Sequence, residues 1–164
     1  MASPPIVDIP PLLATLRSEP LLALRLEVRP PLDLGQTPAG GRRVGVISGG
    51  VFSGQRLRGE VLDGGNDWQT IRADGAWVID CKIMLRTHDQ ALIGMHYNGL
   101  RHGPAEVLAR LGRGEDVDPG EYYFRITPTF ETADPRYDWL NRVVAVGQGH
   151  RFRTGPVYNI FAIL

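Results

Sequence analysis

Glycine and proline interrupt this chain so often that only short segments remain between them. The 164 residues include 20 glycines and 13 prolines, which break the chain at intervals of roughly 8 to 15 residues. Many of the intervening segments alternate between apolar and polar residues, which is typical of strands joined by tight turns. The pattern predicts about nine strands, at 21–29, 43–47, 57–62, 67–72, 76–87, 91–98, 122–132, 139–146 and 157–164.

Strands at this spacing favour a β-sandwich or a closed barrel over a fold in which strands and helices alternate. One helix is predicted over 104–111, because Pro104 suits a first turn and Gly112 follows the end. A further short turn is expected over 12–17. We therefore predict an all-β protein, a single small antiparallel β-barrel of about eight or nine strands with one short helix. Residues 20–164 would form this one domain, and 1–19 an N-terminal extension.

The charge balance and the single cysteine limit the classes of partner. Acidic and basic residues number 18 each, so no net field attracts nucleic acid or an anionic membrane. One cysteine, Cys81, excludes an internal disulfide and suits a reducing compartment. No segment reaches the roughly 20 apolar residues that span a bilayer, and Met1–Pro5 lacks the basic start of a secretion signal. We expect a cytoplasmic protein without nucleic-acid or membrane partners.

Two turns determine the expected register of the central strands. Asp74-Gly75 strongly favours a two-residue hairpin loop, and Asp89-Gln90 is the expected next loop. One face then carries Asp67, Gln69, Asp80, Lys82 and Tyr97. The other face is mostly apolar and should be the interior; it carries Trp68, Ile79, Cys81, Ile83, Leu85 and His96. A shift of one residue would exchange the faces, so the prediction depends on the loop lengths.

An ordered set of motifs runs through most of the chain. It comprises Pro30–Pro38, Gly49–Gly54, Gly64–Gln69, Asp74-Gly75, Asp80, Arg101–Pro104, Tyr123–Arg125, Pro128–Thr132 and Trp139–Asn141. Together these motifs closely resemble a widespread bacterial and fungal family of about 150 residues that is known as a domain of unknown function, among the uncharacterised-protein-family β-barrels. The resemblance extends from about residue 20 to 160. It implies a small antiparallel barrel, and the family has no agreed activity.

One strand departs from the pattern of that family. Members usually carry a tyrosine at the position of Ile83 and another near Gly94, with Asn or Arg around His96 and Tyr97. A reshaped pocket with specialised chemistry and neutral drift both remain as explanations for the difference.

His96 and Asp80 are the candidate catalytic residues. An imidazole exchanges protons near neutral pH, and a carboxylate in a mostly apolar strand is costly unless it is paired. Together in one pocket they could serve a cofactor-independent lyase, isomerase or cyclase. Alternatively, backbone groups supply the hydrogen bonds of His96, and Asp80 pairs with Lys82 or an arginine. The expected register counts against the catalytic pair, because it places the two residues on opposite faces.

Other residues are candidates for ligand binding. Lys82 could form a Schiff base, and Arg101 or Arg125 could hold a carboxylate, or could instead pair with Glu131 or Asp138. The candidate set is Trp68, Lys82, Tyr97, Arg101, Tyr122, Arg125 and Asn141. The sequence contains no phosphate loop, nucleophile elbow or metal motif, so we expect neither a cofactor nor a metal.

Two classes of function remain open. The first is an enzyme with a lumenal pocket for a small organic molecule of aromatic or polyketide-like character. The second is a non-catalytic barrel that binds a hydrophobic metabolite or assembles with itself as a homo-oligomer. The apolar end 158–164 could serve such assembly, or it could be the strand that closes the barrel.

Overall fold

Ten strands and four short helical segments make up the part of the chain that the computed structural model describes, residues 9–164. The strands are β1 Ser18–Val28, β2 Leu32–Thr37, β3 Gly40–Ser53, β4 Arg58–Val61, β5 Gly65–Ile71, β6 Trp77–Thr87, β7 Leu92–His102, β8 Tyr123–Glu131, β9 Val144–Phe152 and β10 Gly155–Ile163. The α-helix, α1, is Ala105–Gly112, and 3₁₀ turns lie at Pro11–Leu13, Pro119–Glu121 and Pro135–Arg142. The segment Met1–Pro5 of the predicted extension lies outside the described residues.

The sheet closes on itself as a barrel. All pairings are antiparallel, and the order β1-β10-β9-β8-β7-β6 continues through β4 and β5 to β3, which pairs again with β1. β4 and β5 occupy one position between β3 and β6, which gives an eight-stranded barrel, and β2 pairs with the first half of β3. The predicted all-β barrel is confirmed. β10 closes it by pairing with both β1 and β9.

Alternation along β6 separates the interior of the barrel from its surface. Ile83 and Leu85 are buried, whereas Lys82 and Met84 point to solvent. The interior is filled largely by aliphatic and aromatic side chains from every strand except β2 and β5, including Leu24, Leu26, Ile47, Ile79, Leu85, Ile93, Met95, Phe124, Ile126 and Ile160. Each such side chain contributes about 1.5–3 kcal/mol by leaving water. Burial of this kind is the main stabilising term for the barrel.

The expected two-residue hairpin loops are wrong, because both loops have three residues. The N–H of Arg72 donates to the carbonyl of Ala76 at 2.9 Å, and Gly75 takes a φ of 84°. In the next loop the N–H of Thr87 donates to the carbonyl of Ala91 at 2.9 Å. A three-residue loop that ends in a left-handed residue is the next most common hairpin geometry.

This change shifts the neighbours of β6 by one residue. Cys81 pairs with Asp67 on one side and Tyr97 on the other, and Lys82 pairs with His96. The prediction that Lys82 and Tyr97 share a face is therefore wrong, because Lys82 is exposed and Tyr97 is buried. Trp68 and His96 move from the predicted interior to the outer face, whereas Asp67, Gln69 and Tyr97 move inward. Asp80 and Lys82 lie outside, as predicted.

The predicted elements differ from the observed ones at a few boundaries. β3 continues through Gly49-Gly50, and Gly50 packs closely on β1, where a Cβ would lie 2.2 Å from the carbonyl oxygen of Arg25. The strand predicted at 139–146 begins only at Val144, since 135–142 form a 3₁₀ turn. The N–H of Arg136 donates to Asp134 at the start of that turn. The predicted helix is confirmed as α1.

Among residues 9–164, no helix is long and apolar enough to cross a membrane.

Candidate functional site

One end of the barrel interior is polar, whereas the rest is apolar. Asp67 and Gln69 point inward from β5, Arg101 from the end of β7 and Arg151 from β9. In β5 the usual alternation is inverted, since the large apolar residue Trp68 is 43% exposed and Asp67 is buried. Buried polar groups are costly, so a concentration of them at one end indicates a site rather than packing.

Asp67 is a buried carboxyl held by two donors. The side-chain amide of Gln69 donates to Oδ2 at 2.6 Å, and the backbone N–H of Asp80 donates to Oδ1 at 3.2 Å. Burial nevertheless raises the pKa of Asp67 above its ordinary value, and the hydrogen bonds only partly oppose this. A carboxyl with a raised pKa can act as a general acid or as a strong general base.

Arg101 is a buried guanidinium with an incomplete set of partners. Its side chain is nine-tenths buried and lies over Trp77 at 4.6 Å and Phe124 at 5.5 Å. Among residues 9–164 its Nε has no hydrogen-bond acceptor. Burial, and then the nearby charge of Arg151, lower the pKa of Arg101 to about 10. An orphaned buried donor beside a second arginine indicates capacity for an acceptor that comes from outside the chain.

A hydrogen-bonded chain fixes the backbone that carries Arg151. The N–H of Arg151 donates to Oη of Tyr122 at 2.8 Å, and this hydroxyl lies 2.9 Å from Nδ1 of His150. Because the hydroxyl accepts from the backbone, its own proton is directed to the imidazole. Tyr122 therefore positions the end of β9 from within the barrel.

Two phenols and a thiol lie next to this cluster. The rings of Tyr97 and Tyr158 meet edge to face, 5.4 Å apart, and each residue is 1% exposed. Burial raises the pKa of both phenols well above the usual value, so they remain neutral hydrogen-bond donors. Burial also raises the pKa of the Cys81 thiol, which excludes a reactive thiolate at neutral pH.

The polar end encloses a cavity in two connected parts. The outer part has a volume of about 170 Å³, and the inner recess about 30 Å³. Both parts are lined by Val28, Gly45, Gln69, Arg101 and Arg151. The outer part is also lined by Pro31, Arg43, Trp77, Leu108 and Leu111, and the inner recess by Asp67, Tyr97 and Tyr158. Helix α1 thus forms one wall of the mouth.

The predicted catalytic residues meet on the outer surface. Nε2 of His96 lies 2.7 Å from Oδ1 of Asp80, with side chains 42% and 52% exposed. The same register that places them outside also brings them together, contrary to the expected separation on opposite faces. His96, Lys82 and Asn141 line one shallow cleft of this face.

The predicted ligand-binding residues divide between the two sides of the wall. Tyr97, Arg101 and Tyr122 belong to the lumenal cluster. Arg125 lies on the outer face, 4.8 Å from the ring of Tyr123, and Asn141 bonds the backbone of Thr132. Trp68 and Lys82 are also outside.

The cavity-lining residues that sequence reasoning missed include Asp67, Gln69, Trp77, Arg151 and Tyr158. The signal for Asp67 was present, because a carboxylate and an amide two residues apart on a strand share one face. The assumed loop length assigned that face to solvent. No comparable signal marks Arg151, whose backbone N–H is held by Tyr122, the residue just before the neighbouring strand β8.

Within residues 9–164, no group of three or more His, Cys, Asp or Glu side chains is arranged to hold a metal ion. The cavity instead offers one carboxyl, three guanidiniums, two phenols and an amide, and one of the guanidiniums, that of Arg43, is already bonded to Asp33. These groups suit an organic molecule with hydrogen-bonding oxygens.

Solved structures with the same fold have been determined from bacteria and a fungus. A protein of unknown function from Rhodopseudomonas palustris is 34% identical with a TM-score of 0.89, over 92% of this chain and 99% of that one. A beta-barrel like protein from Acinetobacter baumannii AYE is 41% identical with a TM-score of 0.81, over 96% and 99%. An enzyme from Penicillium herquei, at 21% identity and a TM-score of 0.70 over the whole of both chains, shares the fold.

Comparison of amino-acid sequences identifies relatives of the same kind. The R. palustris protein, named a UPF0311 protein, is 34% identical over 150 residues, which cover 92% of this chain and 98% of the relative. The family described as "Protein of unknown function (DUF3237)" matches residues 16–163. The chain therefore belongs to the DUF3237 family of β-barrel proteins.

Proposed function

We propose that this protein binds a small organic molecule in the polar end of its lumen and moves a proton on it as a cofactor-independent lyase or isomerase. The observation that carries the proposal is the buried Asp67 carboxyl, with its raised pKa, at the inner recess of the cavity. A carboxyl in this state can take a proton from carbon or return one to it. Asp67 replaces His96 and Asp80 as the proposed acid/base group, because those two face solvent.

The neighbours of Asp67 supply the second requirement of such a reaction. Removal of a proton next to a carbonyl places negative charge on the carbonyl oxygen, and donors fixed around that oxygen stabilise it. Tyr97, Tyr158 and Arg101 line the same recess. Their donors are held by packing, so they need little reorganisation when the charge develops. Carboxyl and donors in one recess support proton abstraction followed by elimination or isomerisation.

A screen of small carbonyl compounds and phenolic acids tests binding. Ligands that bind the folded state raise the melting temperature by mass action. Gly45→Val should abolish the shift, because Gly45 lines the cavity and a Cβ there meets Val28 at an ordinary 3.4 Å. Gly94→Val is the matched control, since Gly94 lies on the outer face and a Cβ there meets the Glu131 carbonyl oxygen at 3.6 Å. If no compound shifts the wild type, the proposal fails.

Hydrogen exchange on bound compounds tests catalysis without knowledge of the full reaction. In D₂O, proton NMR of a carbonyl compound that binds should show enzyme-dependent loss of the signal from the carbon next to the carbonyl. Asp67→Asn should abolish this exchange and retain binding. His96→Ala and Asp80→Asn, on the outer face, should leave it intact. Binding without exchange in the wild type would establish the non-catalytic barrel instead, and loss of exchange in His96→Ala would return the chemistry to the outer pair.

A further inference from the structure

The lumen carries more positive charge than its own carboxyl can balance. Arg101 and Arg151 both line the outer cavity and the inner recess, whereas Asp67 is the acidic side chain of the recess. Among residues 9–164, neither arginine takes part in an ion pair. Two guanidiniums face one carboxyl in the recess, so at least one guanidinium charge lacks a counter-charge there.

Arg101 lines both parts of the cavity and keeps a donor that no described residue accepts. Arg101 is nine-tenths buried, and its Nε has no acceptor in the described chain. Its guanidinium is held against Trp77 and Phe124, at 4.6 and 5.5 Å, so its plane is fixed before any ligand arrives. Planar guanidinium groups match the two oxygens of a carboxylate, and a fixed one loses little entropy on binding.

The remaining walls determine the body of the ligand. The outer cavity is lined by apolar side chains as well as charged ones. The apolar residues are Val28, Pro31, Trp77, Leu108 and Leu111. Its volume of about 170 Å³ is close to that of an engineered cavity of about 150 Å³ that holds one benzene ring. The space therefore suits one ring with a small charged substituent.

From these three observations we infer that the lumen recognises a carboxylate on a flat, single-ring apolar body, with Arg101 and Arg151 holding the carboxylate. This inference rests on the proposed function, because it names the class of molecule on which Asp67 would act. The ring lies against Trp77 and the wall formed by α1. The carboxylate completes the hydrogen bonding of Arg101.

Benzoate and its neutral isostere benzamide are the probes. Isothermal titration at neutral pH should detect benzoate binding to the wild type, with benzamide at least 10-fold weaker. Arg151→Met should weaken benzoate binding 10-fold or more, because one of the two guanidiniums is removed. Arg101→Met and Arg101→Lys test the second guanidinium. The lysine variant keeps the positive charge but loses the two parallel N–H donors, so it should retain part of the benzoate affinity. Arg125→Met on the outer face is the matched control and should bind benzoate as the wild type does.

Each outcome separates this inference from the proposed function. If benzamide binds as tightly as benzoate and the arginine variants bind both unchanged, carboxylate recognition is overturned, whereas binding and exchange of neutral carbonyl compounds would still support the proposed function. If benzoate binds but Gly45→Val, Arg101→Met and Arg151→Met do not weaken it, the ligand lies outside the lumen and the inference fails. Circular dichroism of each variant confirms that the barrel is folded before titration.

Discussion

Replacement of Arg101 by methionine should make the ligand-free protein more stable while it removes a binding group. The pKa of Arg101 is lowered from 12.5 to about 10, chiefly by burial. One pKa unit corresponds to about 1.4 kcal/mol, so the folded state bears a cost of about 3 kcal/mol for keeping this guanidinium charged. Methionine has a similar unbranched shape and no charge to desolvate.

The contacts of Arg101 with aromatic rings offset part of that gain. A cation held over an aromatic ring contributes about 0.5–2 kcal/mol, and here Trp77 and Phe124 are the rings. A methionine sulfur against the same rings recovers about 0.3–1.5 kcal/mol. The expected net gain is about 2 kcal/mol. For a chain of this length, that corresponds to a rise in melting temperature of about 4–8 °C.

Urea unfolding and calorimetry at neutral pH measure the change. Arg125→Met is the matched control, because Arg125 lies on the outer face over Tyr123 and its replacement should change stability by less than about 0.5 kcal/mol. A loss of stability in Arg101→Met of more than 1 kcal/mol would refute the reasoning. Such a loss would mean that partners inside the barrel already stabilise the guanidinium, and then the argument for an external anion would fall with it.

Three further changes follow from the same region. Tyr122→Phe should lower the free energy of unfolding by about 1–3 kcal/mol. The N–H of Arg151 would lose its acceptor, and Nδ1 of His150 would lose its hydrogen-bond partner. A variant as stable as the wild type in urea would contradict this. The free energy of unfolding of the wild type, relative to that of Asp67→Asn, should fall as the pH rises above 3.8. The reason is that a carboxyl whose pKa is raised in the folded state must be ionised inside the barrel. Parallel urea titrations with the opposite slope would show that Asp67 is stabilised as the anion. Cys81, with no exposed surface, should react with a thiol reagent only on unfolding, so labelling in native buffer as fast as in guanidinium chloride would contradict its placement.

The fold could be predicted from the sequence because its signals are local. Glycine and proline bound the strands, and Pro104 and Gly112 bound the helix, so element type and barrel class follow from short segments. β2 was missed because neither of its faces is buried, so its sequence lacks the alternation that marks a half-buried strand. Its apolar residues Leu32 and Leu34 are both exposed. The 3₁₀ turn at 135–142 was missed because the apolar residues of 139–146 favour a strand. That signal outweighed the capping residue Asp134 at the start of the turn.

The site could not be predicted because it depends on register and on long-range packing. Cys81 pairs with Asp67 rather than with Trp68, and Lys82 pairs with His96 rather than with Tyr97. That difference of one residue decides which side chains meet in the lumen. Arg101 was identified as a candidate from its chemistry alone. Arg151 lies beside it only because β7, β8 and β9 are neighbours in the closed sheet.

The three-residue hairpin loops have a consequence for how this architecture can diversify. Removal of one residue from 73–75 would rotate β5 relative to β6, carrying Asp67 to solvent and Trp68 into the lumen, with no change of any strand residue. An insertion or deletion at a solvent-exposed turn can therefore exchange a charged lumen for an aromatic one in a single event. In this barrel, turn length as well as strand sequence then decides which side chains line the lumen.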